Sequence, residues 1–254
     1  MSRIQMIEAI ILAAGQGTRM KSKKAKVLHE LGDKTLLQHV VDAIQPLSTS
    51  INIVIGNNAE LVKNSINNRS INWVLQKMQL GTGHAIQQAI SNINDELTCV
   101  ILYGDVPLIT TNTIKTLVDK SQKNGFSLLS VLLNDPNGYG RIIRNKNELI
   151  KAIVEDKDAD VNERKINEIN TGIMAIQGSL LKKYIPQLKP NNSQGELYLT
   201  DIVKIAFEDN ITISSLVCDN VSEVMGINDK NQLAEAERIY QQQQAKEFMS
   251  KGLT

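Results

Sequence analysis

The sequence predicts an α/β fold built on a parallel sheet with helices packed against it. Three observations carry that expectation. A short, nearly continuous apolar run at residues 8–14 has the pattern of a strand buried on both faces. Strand-like runs then alternate with segments of helical period as far as Tyr103. Two of those runs close on glycine, Ile55 on Gly56 and Tyr103 on Gly104-Asp105.

In chain order, Leu36, Leu37, Val40, Val41 and Ile44 recur at helical spacing after the first strand. Residues 51–55 read as a second strand and 59–66 as a helix. Residues 71–75 read as a third strand, and Ala85, Ile86, Ala89, Ile90 and Ile93 mark another helix. A fourth strand spans 99–103. Beyond it the pattern is less regular. Strands are expected at 127–133, 141–143, 149–154 and 169–176, with helices near 179–185 and 198–207. The segment 229–249 carries only a thin apolar stripe (Leu233, Ala236, Tyr240, Phe248). It predicts a helix that is partly exposed or that meets another domain. The polar stretch 189–195 predicts a mobile loop.

Composition sets bounds on function. The 254 residues carry 28 Lys plus Arg against 27 Asp plus Glu, a net charge of +1, with 42% hydrophobic and 22% charged residues. These values exclude a disordered or collagen-like chain and fit one large domain, with or without appendages. The balanced charge argues against a nucleic-acid partner bound by broad phosphate neutralisation, so any anion site is local. Cys99 and Cys218 lie in apolar segments and are expected to be buried, reduced thiols. The three histidines lack zinc-site spacing. The apolar run at 7–14 is too short for a signal peptide and nothing approaches a membrane span, so a cytoplasmic chain with no membrane partner is expected.

Chemistry is concentrated in the loop after the first strand, Leu12-Ala13-Ala14-Gly15-Gln16-Gly17-Thr18-Arg19-Met20. In an open parallel sheet, ligands bind beyond the carboxyl ends of the strands. Gly15 and Gly17 let the backbone turn its N–H groups toward an anion, and Arg19 adds a fork of donors suited to phosphate. The dinucleotide fingerprint fails because Met20 stands where a third glycine is needed, and the P-loop signature is absent. Lys26 lies where the chain turns inward, and a second cation beside this loop suits a triphosphate. Asp105, at the end of the fourth strand, either points into the crevice as a metal ligand or caps a turn.

These stretches resemble a known family. They include 12–20, Lys26-Val-Leu-His29, Gln79-Leu-Gly-Thr-Gly-His-Ala85, Tyr103-Gly-Asp-Val-Pro-Leu108 and Gly138-Tyr-Gly-Arg-Ile142. Further on come residues 153–159, Glu168-Ile-Asn-Thr-Gly172, residues 194–201 and Gly226-Ile-Asn-Asp229. Together they resemble the N-terminal uridyltransferase (pyrophosphorylase) region of the bacterial bifunctional N-acetylglucosamine-1-phosphate uridyltransferase / glucosamine-1-phosphate acetyltransferase family. The resemblance implies the nucleotide-diphospho-sugar transferase fold, a Rossmann-like, mixed and mostly parallel sheet flanked by helices. It implies transfer of a uridylyl group from UTP to N-acetylglucosamine 1-phosphate with Mg²⁺ as cofactor. By the same resemblance Leu12, Ala13, Ala14 and Gly15 hold the nucleotide, and Arg19 and Lys26 are catalytic and grip the triphosphate. Gln76, Gly81 and Thr82 read the uracil edge. Tyr103, Gly104, Gly140, Glu155 and Asn170 hold the sugar and ribose side. Asp105 and Asn228 carry the metal, although Asn228 is also placed to cap the last helix, a role open to Asp229.

Two departures from the family pattern stand out. Ala25 occupies the position where a proline usually precedes the loop lysine. No hexapeptide repeat follows, so the expected organisation is a transferase domain at 1–228 and a linking helix at 229–254. An acetyltransferase domain and the trimer such a repeat builds are not expected. A catalytically dead scaffold relative would lack the loop cations or Asp105, and here all are present. A thymidylyltransferase acting on glucose 1-phosphate is the nearest alternative chemistry, and the 79–85 and 168–172 stretches favour the first reading.

Overall fold

The structure is a computed structural model of the chain, and it describes residues 6–56, 58–66 and 70–253. Strands in chain order are β1 (Ile7–Ala13), β2 (Glu30–Leu31), β3 (Lys34–Thr35), β4 (Ser48–Ile55), β5 (Ile71–Leu75), β6 (Thr98–Tyr103), β7 (Phe126–Leu132), β8 (Arg141–Arg144), β9 (Ile150–Val154), β10 (Glu168–Gln177) and β11 (Ser214–Val217). The α-helices are α1 (Leu36–Ile44), α2 (Ala59–Asn64), α3 (Thr82–Ala89), α4 (Thr111–Ser121), α5 (Gly178–Tyr184), α6 (Asp201–Glu208), α7 (Val221–Val224) and α8 (Lys230–Ser250).

The main sheet runs β11-β7-β10-β6-β1-β4-β5, with the β8–β9 hairpin joined to β10 through the pair Ile169–Arg141. β1 pairs in parallel with both β4 and β6, and β4 with β5. β10 breaks the pattern, because it is antiparallel to β6 and to β7. The sheet is therefore mixed and mostly parallel, as the family resemblance implies.

Strand β1 shows why both faces must be apolar. Its side chains alternate, so Ile7, Ala9, Ile11 and Ala13 enter one core with Leu37, Val40 and Ile44 of α1 and with Ile114, Leu117 and Val118 of α4. Ile10 and Leu12 enter the opposite core, with Ala85, Ile86 and Ala89 of α3, Leu181 and Tyr184 of α5, and Ile202 and Val203 of α6. Two layers of helices around one sheet leave the carboxyl ends of β1, β5 and β6 as the open edge.

Sequence and structure differ in several places, among them helix α4 and strand β11, which the sequence pattern does not show. The helix read at 59–66 ends at Asn64, and Ser65 turns back through its hydroxyl to the Val62 carbonyl. The polar stretch 189–195 forms a hydrogen-bonded turn. Asn192 Oδ1 accepts from Gln194 N and Glu196 N, Ser193 N donates to Asp158 Oδ1, and Lys157 Nζ donates to Gln194 Oε1. The last helix is partly exposed, the first of the two expected alternatives, and its apolar stripe packs within the chain: Ala236, Leu233, Ile239 and Tyr240 meet Leu31, Leu36, Leu108 and Ile227. Cys99 and Cys218 are buried free thiols, as expected. Among the described residues no helix is long and apolar enough to cross a membrane.

Asp229 caps α8, its carboxylate accepting from Gln232 N at 2.9 Å. Asp229→Ala removes that acceptor and is expected to cost about 1 kcal/mol of unfolding free energy in a denaturant titration. An unchanged midpoint would show that the cap contributes nothing to the docking of α8.

Candidate active site

Strand ends at the open edge supply a cleft of about 220 Å³. Its lining includes Leu12, Ala13, Ala14 and Gly15 from the first loop, Lys26, Gln76, Gly81 and Thr82, and Tyr103 and Asp105. Ten of the sequence-predicted site residues are thus brought to one place.

The glycine loop is shaped by a close approach. Gly17 has φ +61°, and a Cβ there would stand 2.5 Å from Lys26 Cβ, so only glycine lets the lysine stem lie against the loop. Residues Lys26–Leu28 form a single 3-10 turn whose Val27 and Leu28 are buried, and they anchor the lysine from below. Ala25, in the position of the family's usual proline, is extended at φ −57° and ψ 142° and leaves this turn intact. Lys26 Nζ donates to Asp105 Oδ2 and, at 3.0 Å, to Asn228 Oδ1. The lysine and aspartate side chains are only 14% and 15% exposed.

Asn228 does not cap the last helix, since Asp229 does; its Oδ1 instead accepts from Lys26, and its Nδ2 donates to the Gly226 carbonyl at 3.2 Å. Its position is fixed on both sides. Asn228 N donates to Gln232 Oε1 at 2.7 Å, and the preceding Ile227 N donates to the Asp105 carbonyl at 2.8 Å. Two hard oxygen donors, one anionic, therefore converge on a single cation. That donor set fits a divalent metal that takes its remaining ligands from phosphate and water. No cluster of three or more His, Cys, Asp or Glu that could hold a metal ion occurs among the described residues.

The wall beyond β5 is held by amides. Gln79 Nε2 donates to the Ala14 carbonyl at 2.6 Å and ties the segment 76–82 to the first loop. Gln76 is buried, and its Nε2 donates to the Gly81 carbonyl at 3.2 Å. Gly81 takes φ +105°, where a Cβ would stand 2.5 Å from the Leu197 carbonyl oxygen. Main-chain bonds Leu197 N to Leu80 O and Gly83 N to Leu197 O clamp the segment after residue 195 onto α3. Thr82 Oγ1 accepts from Leu199 N at 3.1 Å.

Gly140, Glu155 and Asn170 are assembled on the antiparallel side. Asn170 N donates to the Gly140 carbonyl at 2.8 Å, and Asn170 Oδ1 accepts from Gly172 N at 3.1 Å. A Cβ on Gly140 would stand 3.3 Å from Glu155 Oε2. Arg141 is fully buried and fastens this wall, donating to the Tyr139 carbonyl and, at 3.1 Å, to Asp156 Oδ1 beside Glu155. Gly104 N donates to the Leu12 carbonyl at 2.9 Å and locks β6 to β1 below the cleft.

Arg19 differs from the rest. It is exposed, no hydrogen bond or ion pair anchors it among the described residues, and its charge acts on the Tyr139 phenol. Burial pushes the Tyr139 and Tyr103 hydroxyls up, so both stay neutral donors near pH 7. Gln79, Glu196 and Ala85 also line the cleft but were not assigned from the sequence. They sit inside stretches that carried the resemblance, and their role is visible only once β5 and the 195–199 segment meet.

A glycine loop with a part-buried cation, an acid at the end of a central parallel strand and an amide-lined wall define a nucleotidyltransferase. Residues 9–163 match the model of the MobA-like NTP transferase domain, and the chain belongs to that family. Proteins of this class use a divalent metal ion. The chain is similar to the "Bifunctional protein GlmU" of Vesicomyosocius okutanii subsp. Calyptogena okutanii (54% identity, 97% of this chain, 55% of that protein). It is likewise similar to those of Ruthia magnifica subsp. Calyptogena magnifica (51%, covering 98% and 55%) and Marinobacter nauticus (46%, covering 97% and 54%). The chain spans about half the length of these curated relatives. A solved UDP-glucose pyrophosphorylase complexed with UDP-glucose shares the fold with TM-score 0.73 at 18% identity, covering 94% of this chain and 100% of that one.

Glu155 gives a test of the site's electrostatics. Burial raises its pKa above the ordinary 4.5, against the opposing hydrogen bond from Thr200; Asp201, Asp158 and Asp156 add to the rise. A carboxyl with a raised folded pKa holds its proton longer in the folded chain, so stability falls as pH climbs from about 4.5 through the folded value. Glu155→Gln removes that loss. Denaturant titrations from pH 4.5 to 7.5 should show the variant gaining on the parent as pH rises. Parallel profiles would mean the carboxylate is well solvated.

Proposed function

We propose that the chain catalyses uridylyl transfer from UTP to N-acetylglucosamine 1-phosphate, giving UDP-N-acetylglucosamine and pyrophosphate. The observation that carries the proposal is the convergence of Lys26, Asp105 and Asn228 at the mouth of the first loop. Support for the choice of substrates comes from the 79–85, 168–172 and 194–201 stretches and from the fold shared with a pyrophosphorylase of a UDP-sugar. In this reading the product is an activated sugar for peptidoglycan and lipopolysaccharide, made in the cytoplasm. Residues 1–228 are the transferase unit and 229–254 a linking helix.

The sugar phosphate is already an anionic nucleophile near neutral pH. It attacks the α-phosphorus in line, and pyrophosphate leaves, so no covalent intermediate on the protein is needed. The protein's tasks are positioning and charge neutralisation. Leu12, Ala13, Ala14 and Gly15 place backbone against the nucleotide. Gln76, Gly81 and Thr82 face the base. Tyr103, Gly104, Gly140, Glu155 and Asn170 hold the ribose and the sugar. Lys26 and Arg19 are the catalytic cations that meet the charge growing on the leaving group. Asp105 and Asn228 would hold Mg²⁺, which when bound neutralises phosphate oxygens.

Pyrophosphate release should be fastest with UTP and N-acetylglucosamine 1-phosphate in a panel of nucleoside triphosphates and sugar phosphates. It should depend on Mg²⁺. Arg19→Ala should lower kcat on the order of 10²-fold and raise the KM for UTP less than that, because a cation on the leaving group helps the transition state most. A preference for another pair, such as a thymidine triphosphate with glucose 1-phosphate, would contradict the proposal. An Arg19→Ala effect confined to KM would make Arg19 a docking contact.

A further inference from the structure

His84, in the first turn of α3, touches the amide that faces the base. Gln76 Nε2 donates to the Gly81 carbonyl at 3.2 Å and stands 3.0 Å from His84 Nδ1. A carbonyl oxygen only accepts, so the atom at Nε2 is the amide nitrogen and the Gln76 orientation is fixed. Its second hydrogen then goes to Nδ1, which must carry a lone pair, and the neutral ring holds its proton on Nε2. Gln88 is exposed, and its amide nitrogen stands 3.2 Å from Nε2 while donating to the His84 carbonyl at 3.3 Å; turning that amide exchanges the long carbonyl bond for an oxygen facing the Nε2 proton.

Both Gln76 hydrogens are thereby engaged inside the protein. No donor among the described residues reaches Gln76 Oε1, and that oxygen is not sealed in the interior. Gln76 therefore offers the cleft an acceptor and no donor. A uracil N3–H can donate to such an oxygen. A cytosine presents a lone pair at the same ring nitrogen and is repelled. A glutamine free to turn would serve either base.

We infer that His84 is a positioning residue that sets base preference by holding the Gln76 amide with its oxygen toward the nucleotide. The inference rests on the uridine reading given above. With His84 in place the site discriminates by leaving a wrong base with an unpaired polar edge, the most effective form of rejection available to a pocket.

The experiment compares kcat/KM for UTP and for CTP, with N-acetylglucosamine 1-phosphate as acceptor, in the parent and in His84→Ala and His84→Asn. Direct binding of each nucleotide by calorimetry gives a second readout. His84→Ala should reduce the UTP-over-CTP ratio about tenfold, the size of one lost hydrogen bond. His84→Asn keeps an acceptor near the Nδ1 position and should recover part of the ratio. The KM for the sugar phosphate should move less than twofold, which separates loss of base reading from a general loosening of α3. A parent that prefers UTP, with variants that keep that preference unchanged, overturns the inference and leaves the uridine reading standing. A parent that uses CTP as well as UTP overturns the uridine reading and the inference together. A ratio that falls equally in both variants, with the sugar-phosphate KM rising in step, makes His84 a packing residue and overturns the inference.

Discussion

The site depends on one ion pair. Lys26, Asp105 and Asn228 are separated by 79 and 202 positions in the chain, yet their polar atoms meet at one point. Each depends on a different part of the fold. Lys26 needs a glycine at 17, because a Cβ there would occupy the space of its own stem. Asp105 needs β6 beside β1, so that its turn opens on the same edge as the glycine loop. Asn228 needs α8 to start one residue later, at the cap Asp229, and needs Ile227 N bonded to the Asp105 carbonyl. Largely buried charges are poor sources of stability, since desolvation offsets much of their attraction. Their arrangement here fits preorganisation for an anionic substrate.

The site divides along the sheet. The parallel half, β1, β4, β5 and β6, carries the glycine loop and the amide wall of Gln76 and Gln79. The antiparallel half carries Gly140, Glu155 and Asn170, with the buried Arg141 fastening two of their loops. The reversal of β10 makes this possible. It returns the chain to the middle of the sheet and brings Asn170 N to the Gly140 carbonyl. A turn between 192 and 198 reaches back across the division, from Lys157 and Asp158 to α3.

Much of this was legible in the sequence. The strands β1, β4 and β6 announce themselves because a strand buried on both faces is apolar almost throughout, and the half-buried edge strand β5 by its run of Ile71, Trp73, Val74 and Leu75. Helix α4 is faint in the sequence: residues 111–121 hold three threonines, and the buried face is Ile114, Leu117 and Val118 with the polar Ser121. Strand β11 was missed because an edge strand that begins Ser214-Ser215 has little apolar signal. The direction of β10 is a property of the sheet, and no local periodicity records it. In the site, Asp105 and Lys26 could be placed from the loops they follow. Asn228 came only from resemblance, and the choice between it and Asp229 as helix cap is made by the hydrogen bond to Gln232 N. His84, Gln79 and Glu196 were passed over because their partners are amides and main-chain groups brought near by tertiary contact.

A double-mutant cycle on Lys26 and Asp105 bears most directly on whether the converging charges act as a unit. The rates of pyrophosphate release by Lys26→Met, Asp105→Asn and the double variant would be measured at saturating UTP, sugar phosphate and Mg²⁺. Residues that act as a unit give strongly non-additive losses. The double variant should then be within about threefold of the slower single variant. Losses that multiply would mean that lysine and aspartate act independently, and that their contact is incidental to the chemistry.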